Sequence, residues 1–521
     1  MKSRWIWFTI ALAIVGGAIV AYRGHRRTPG PFKTAFWYWQ TPYTLSEQDA
    51  DDLKKLDVKQ VFVRAGTFSS DGQNLVLIIP QKYGEGSNRL PIHLVFNADA
   101  GVIRHFEDYD VARISQQISD RLKLQVEAAR KAGAQVIGIQ LDFDIATRLL
   151  PKYADLIARI RKSDAQFRRQ KGFYFSLTGL MSWLGTRGVE KLSDEVDFMV
   201  PQAYEGSTGR TPAEMHPVFD PADTDKRLGL AERLNCPYWI GIPSYGHAFL
   251  YDDHDHLMGT YRNLEAQDAL RHPSFQLLEA YGSGPDGKPA KSEKEWMGEE
   301  ILKFKAIHPA PSGYGRGFTL TYSLPSPEGT RQAMKMVRES RGSNCQGVIV
   351  YRMPETGSTF TNPLSTIVLT KEGKTPTPKL DVTVSRSQDT YEAIEGNLGT
   401  VPIDLYVETT NIGTGSTFVS PDAVDVAITI DKPGFGEARL RTFDTVQFEG
   451  GNPARASTIH LRKGFSYPGQ KLSAGPIRLL SSGDLRVRVH WRLRSQSGLQ
   501  AFDGDQPEIL LKSPESKTKK P

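Results

Sequence analysis

Between about Thr34 and Thr370 the chain alternates short β-type apolar runs with stretches of helical period. This is the pattern of parallel strands joined by helices. The runs fall at 34–40, 60–67, 91–99, 135–144, 172–183, 196–205, 237–245 and 347–353. Between the third and fourth, Ile114, Ile118, Leu122, Val126 and Ala129 recur at helical spacing within 110–133, and Gly133 stops the run. Ser326 as an N-cap with Pro327 at the first helical position opens another helix over 326–341. Eight β/α units over this length predict a TIM barrel across 31–370 rather than an open sheet. About a hundred residues separate the seventh run from the eighth, so an insertion at about 246–325 is expected above the barrel rim.

Residues 371–379 read as a linker extended by Pro376 and Pro378. Beyond it the helical period disappears. Runs at 380–384, 403–407, 424–430 and 485–493 alternate apolar with polar residues between Gly/Pro/Asn-rich turns. They predict an all-β, immunoglobulin-like sandwich over 380–512, followed by a polar, disordered tail at 513–521. At the other end, Lys2 and Arg4 precede an apolar run from Trp5 to Tyr22, which Arg23, Arg26 and Arg27 follow. A cationic start and an apolar stretch of this length predict a signal or single membrane anchor over 1–30. The flanking arginines and Ile19, a weak residue for cleavage, favour an anchor that stays attached. Either form places the bulk of the chain outside the cytoplasmic membrane, in the cell envelope or periplasm, with the membrane as a partner through this segment.

Composition narrows the classes. With 39% hydrophobic and 24% charged residues in 521, the chain is not a collagen, a wholly disordered protein, a coiled coil or a polytopic membrane protein. Two cysteines exclude a disulfide scaffold and a Cys-based zinc module. A balance of 65 basic against 59 acidic residues, net +6, calls for no nucleic-acid partner.

In a TIM barrel the chemistry sits at the C-terminal ends of the strands. The fourth run ends Gly138-Ile-Gln-Leu-Asp-Phe-Asp144, so Gln140, Asp142 and Asp144 share one face and Ile139, Leu141 and Phe143 the other. Two carboxylates then point into the mouth, close enough to share a proton, which is how a general acid stays protonated near neutral pH. The bland alternative is a salt-bridged or capping pair below the strand end. On the sixth run Gln202 and Tyr204 share the inward phase and Glu205 marks the exit. Such a tyrosine and amide position a carbonyl or acetamide, unless Tyr204 merely closes a core layer. Tyr351 and Glu355 end the eighth run; Tyr38 and Trp39 on the first and Trp183 on the fifth add aromatic faces suited to sugar rings.

The fourth-strand Gly-Ile-Gln-Leu-Asp-Phe-Asp resembles the Asp-Gly-x-Asp-x-Asp-x-Glu signature of family 18, chitinase-like glycoside hydrolases. Gln-Ala-Tyr-Glu at 202–205 is similar to that family's Met-x-Tyr-Asp, and Tyr351 falls where it carries a Trp floor. The resemblance implies Asp144 as acid, Asp142 as the group orienting an acetamido substituent, and Tyr204 with Glu205 in support. Gln140 stands where the signature has an Asp, and Asp144 is one methylene shorter than the signature's Glu. A displacement of about 1 Å can cost on the order of 100-fold in rate. The whole barrel also resembles an uncharacterised bacterial family of predicted exported TIM-barrel proteins.

These readings lead to a glycoside hydrolase-like protein acting on a cell-envelope or extracellular polysaccharide, with a non-catalytic glycan-binding or envelope-assembly protein as the alternative. An N-acetylated substrate could supply its own nucleophile; otherwise Glu205 or Glu355 must act as the second carboxylate. No cofactor and no metal are expected, since Asp252-Asp-His-Asp-His256 reads as a solvated polar loop. Cys236 and Cys345 precede neighbouring strands and are either bridged or buried as thiols. Arg486, Arg488, His490, Arg492 and Arg494 form an alternating stripe, the wet side of a sheet or a surface for an anionic polymer.

Overall fold

The computed structural model describes residues 30–512 except 72–73, 169–170, 205–208, 215–217, 262–263, 285–286, 310–314, 356, 388–402 and 481–483. The expected N-terminal anchor and C-terminal tail lie outside the described residues. Among the described residues, no helix is long and apolar enough to cross a membrane. The chain divides into two compact units: one runs through Gly206 and adds Val218–Pro243 and Gln332–Met353, the other comprises Ser207–Pro217, Ser244–Arg331 and the chain from Pro354 onward.

The first unit holds eight barrel strands: Lys33–Tyr38, Val58–Ser70, Ile92–Ala98, Val136–Asp142, Tyr174–Leu180, Phe198–Gln202, Tyr238–Pro243 and Cys345–Tyr351. Each is parallel to its neighbours, and the sheet closes because the first strand pairs with both the eighth and the second. The inward phase buries Ala35, Trp37, Phe62, Val95, Phe198, Val200, Trp239 and Ile349 in one cluster along the axis. At the closing seam Gly347 has φ +148°, and a Cβ there would lie 1.9 Å from the Lys33 carbonyl oxygen. Only glycine lets the two strands meet. The predicted helix after the third strand runs Val111–Lys131, with Asp110 accepting the N–H of Arg113 as N-cap and Gly133 at φ +88° beyond its end. Helix Pro327–Ser340 likewise starts beside Ser326, whose hydroxyl accepts the Gly329 N–H. A short strand, Leu75–Ile78, pairs antiparallel with the extended second strand and has no counterpart among the predicted runs.

In the second unit the insertion forms a five-stranded antiparallel sheet ordered Leu257–Thr260, His247–Tyr251, Thr319–Pro325, Glu299–Ala306, Phe275–Gly282. Leu302, Phe304, Leu320 and Tyr322 from this sheet share a core with Phe360, Val419 and Phe465 from the C-terminal part of the chain. The remaining strands make two further antiparallel sheets around one apolar core, built on Leu380–Arg386, Ile403–Asn411, Val424–Ile430 and Leu485–Arg494 among others. The arginine stripe faces solvent and is interleaved with carboxylates. Arg486 and Arg488 pair with Glu508, His490 with Asp505 and Arg494 with Asp422. Those pairs offset part of the charge of the stripe.

Cys236 and Cys345 are buried free thiols, and burial pushes the Cys345 thiol up to about 11. Asp252, Asp253 and His254 approach one another in an exposed turn, where Asp252 Oδ1 accepts the backbone N–H groups of His254 and His256. The residues expected to be a polar loop form one.

Candidate functional site at the barrel mouth

Extending the inward phase of each strand by one step gives the ring of side chains at the C-terminal mouth. Trp39 follows Trp37, Arg64 follows Phe62, Asn97 follows Val95, Asp142 follows Gln140, Gln202 and Tyr204 follow Val200, and Tyr351 follows Ile349. This ring carries the charged and amide side chains of the mouth; the layer beneath it is packing.

Asp142 ends the fourth strand, half-buried, beside Asn97 of the third in the parallel register. Its Oδ1 accepts from the Thr178 hydroxyl at 2.6 Å and from the Gln202 amide at 3.0 Å. Thr178 on the fifth strand and Gln202 on the sixth thus hold one carboxylate oxygen in a fixed orientation.

Asp144 lies beyond the strand, which stops at Asp142 and not at Asp144 as the alternation predicts. The Ile145 N–H bonds the Phe143 carbonyl at 2.8 Å, so Asp144 is the central residue of a γ-turn and is exposed at the rim. The turn is anchored from behind. Phe143 stacks on Tyr153 of helix Leu150–Ser163 at 6.0 Å and 8°, and Trp183 Nε1 donates to the Ile145 carbonyl at 2.9 Å. Tyr153 is wholly buried, and its hydroxyl is held well above the usual phenol range first by burial and then by the charges of Asp142 and Asp144. It stays an O–H beneath both carboxylates.

The opposite wall is aromatic. Tyr204 and Tyr351 stack with centroids 5.5 Å apart at 17°, Trp37 meets both edge-on, and Trp39 packs edge-on against Tyr351 at 5.3 Å. Gly241 makes room for this wall: a Cβ there would sit 3.0 Å from the Trp37 ring and 3.1 Å from that of Tyr204. The Arg64 guanidinium lies 5.9 Å above the Trp39 ring.

Of the residues expected to act, Asp142, Asp144, Gln202, Tyr204, Trp39 and Tyr351 come together at this mouth. Three expected to bind substrate do not. Gln140 is fully buried one layer down, where it accepts the Trp37 indole N–H at 2.8 Å and donates to Ser176. Trp183 is fully buried behind the strand wall, in a short 3-10 turn after the fifth strand rather than on it. Tyr38 has the outward phase; its ring packs on Tyr43 and its hydroxyl donates to the Pro42 carbonyl. Glu205 lies outside the described residues. Glu355 belongs to the second unit, where its backbone N–H bonds the Thr361 hydroxyl.

The sequence reading missed Thr178, Arg64 and Tyr153. Arg64 had a usable signal, since a charged residue in phase with Phe62 on a strand read as buried must emerge at one end. Thr178 had none, because threonine is an ordinary strand residue.

The chain matches a family model described as a domain of unknown function, DUF3142, over residues 102–272, a span that includes Gln140, Asp142, Asp144, Gln202 and Tyr204. No curated protein sequence matches the chain. Among solved structures it is similar to the spore cortex-lytic enzyme SleL of Bacillus cereus, with 13% identity, TM-score 0.39, and 63% of this chain and 72% of that one covered. A chitinase from Chromobacterium violaceum has 13% identity and TM-score 0.39 over 65% of this chain and 98% of its own. A family 18 N-acetylglucosaminidase from Paenibacillus barengoltzii has 10% identity and TM-score 0.39, with 65% and 99% covered.

Proposed function

We propose that the barrel mouth takes a polysaccharide or glycan of the cell envelope or extracellular space, and that the protein is glycoside hydrolase-like. The observation that carries this reading is the Asp142 carboxylate, oriented by Thr178 and Gln202 and facing a wall of Trp39, Tyr204 and Tyr351. Sugar rings present apolar C–H faces that pack on such aromatics, while a fixed carboxylate aligns a hydroxyl or acetamido N–H. In the hydrolytic form, Asp144 delivers the proton to the leaving oxygen from its anchored turn. Asp142 orients the substrate and Tyr204 supports its carbonyl.

Asp144 is exposed rather than buried, and this favours a second reading in which the mouth binds a glycan without turnover. The two separate on one experiment with the full chain: a glycan panel scored for released sugar and for retention, using the native protein, Asp144→Asn and Asp142→Asn. Release by the native chain, lost in both variants, establishes the enzyme. Retention without product in native and Asp144→Asn, weakened by Asp142→Asn, establishes the binding protein. Retention and release by none refutes both.

The apolar run of 5–22 supports an envelope location with the membrane as partner, and the alternation of the C-terminal strands supports an immunoglobulin-like module. Fractionation of cells into soluble and membrane pools, before and after deletion of residues 1–27, tests the first.

A further inference from the structure

The mouth holds a cation that the hydrolytic scheme does not use. Arg64 points inward from the second barrel strand, two residues above Phe62 of the axial core, at the level of Trp39 and Tyr351. Its Nε is buried and, among the described residues, makes no hydrogen bond. Among the described residues no carboxylate forms an ion pair with it. Arg161, a buried arginine on helix Leu150–Ser163, shows what the fold does when a guanidinium is purely structural: both its terminal nitrogens sit 3.0 Å from the two oxygens of Asp197. The Asp142 carboxylate, on the fourth strand with Asn97 of the third between, takes its donors from Thr178 and Gln202 instead.

Arg64 is half-buried, and burial lowers its hold on its proton, with the charge of Arg352 acting in the same sense and Tyr351 opposing. A guanidinium nevertheless stays charged at any working pH. A positive group kept partly out of water, above a ring and without an ion-pair partner among the described residues, is destabilising unless a bound anion completes it.

We infer that the glycan accepted at this mouth is an acidic one, and that Arg64 is the residue that selects it by receiving a sugar carboxylate. The inference rests on the glycan reading above and adds the substrate class. The planar fork of arginine matches the two oxygens of a carboxylate, and the Trp39 ring lies beneath it. Trp39 and Tyr351 then receive the face of the same ring, and Asp142 the polar substituents on its far side.

The test uses the full chain and matched probes. Oligomers of galacturonate, alginate and hyaluronan are each compared with their carboxyl methyl esters, beside a neutral chitin oligomer and a sulfated neutral oligosaccharide. The native protein is expected to retain at least one free acid about 10-fold or more over its ester, a preference that weakens as salt rises. Arg64→Gln is expected to bind acid and ester alike, and Arg64→Lys, which keeps the charge without the fork, to fall between them. Thermal melting of both variants checks the fold; if Arg64→Gln does not fold, Arg64→Lys carries the test. Equal retention of acid and ester by the native chain, or an acid preference that survives Arg64→Gln, overturns the inference and leaves the glycan reading in place. Retention of the sulfated glycan in place of the acids overturns the carboxylate assignment. Retention of no glycan at all overturns the glycan reading itself, and the inference with it.

Discussion

Replacing Gln140 by leucine separates two accounts of the fourth strand. If Gln140 met substrate, as its place in the motif suggests, the change would weaken ligand retention and spare the fold. The structure buries Gln140 completely and gives its Oε1 to the Trp37 indole N–H at 2.8 Å, with Trp37 only 1% exposed. Leucine is close in volume, so the cavity contribution is small. What changes is that a buried donor loses its acceptor, which costs about 1–3 kcal/mol. The Ser176 hydroxyl keeps a bond to the Ile139 carbonyl and adds little to the loss. Taking about 2 kcal/mol and a urea slope of about 3 kcal/mol/M for a barrel of this size, the midpoint of the barrel transition falls by roughly 0.7 M. Indole fluorescence follows that transition, and Trp37→Phe combined with Gln140→Leu removes the orphaned donor. The double variant is expected to lose less than the two single changes together. An unchanged midpoint for Gln140→Leu, accompanied by lost glycan retention, would refute the reasoning.

Other expectations are as direct. Asp197→Asn breaks the bidentate pair with Arg161, whose side chain is 8% exposed, and should cost about 3–5 kcal/mol of unfolding free energy in urea titration. Gly347→Ala places a Cβ against the Lys33 carbonyl at the closing seam and should abolish soluble expression, whereas Gly133→Ala, with open space around it, should fold with a modest loss. Glu300 is buried and accepts the Val419 N–H at 3.1 Å, and burial raises its carboxyl well above the usual range. Its contribution to stability is therefore complete below the unfolded value of about 4.3 and declines as pH rises toward the folded value. Melting temperatures from pH 4 to 8 should fall more for the native chain than for Glu300→Gln; parallel curves would contradict the assignment.

The barrel was legible because its signal is local and repeated. Each parallel strand is buried on both faces, so it reads as an apolar run, and the helices between carry their own period. All eight predicted runs coincide with barrel strands, although the ends differ. The fourth strand stops at Asp142 because the Phe143–Ile145 turn is pulled against Tyr153 of the next helix and Trp183 beyond the fifth strand, packing that strand alternation does not encode. The sheet in the insertion escaped notice for a related reason. Its strands bury one face against Phe360, Val419 and Phe465, which no local window contains.

Period and register therefore brought Asp142, Gln202, Tyr204 and Tyr351 to one end of one barrel, from sequence alone. Depth along the axis was beyond it. Residues two apart on a strand share a face and differ by about 7 Å in height, and that step separates Gln140, sealed under Trp37, from Asp142, open at the mouth. Pairing between elements was beyond it too. Arg161 and Arg64 are both arginines on elements with buried faces, yet one meets Asp197 and the other meets Trp39 and, among the described residues, no carboxylate. Alternation depends on backbone geometry, which every strand shares, whereas layer and partner depend on how the closed barrel sets one strand against the next.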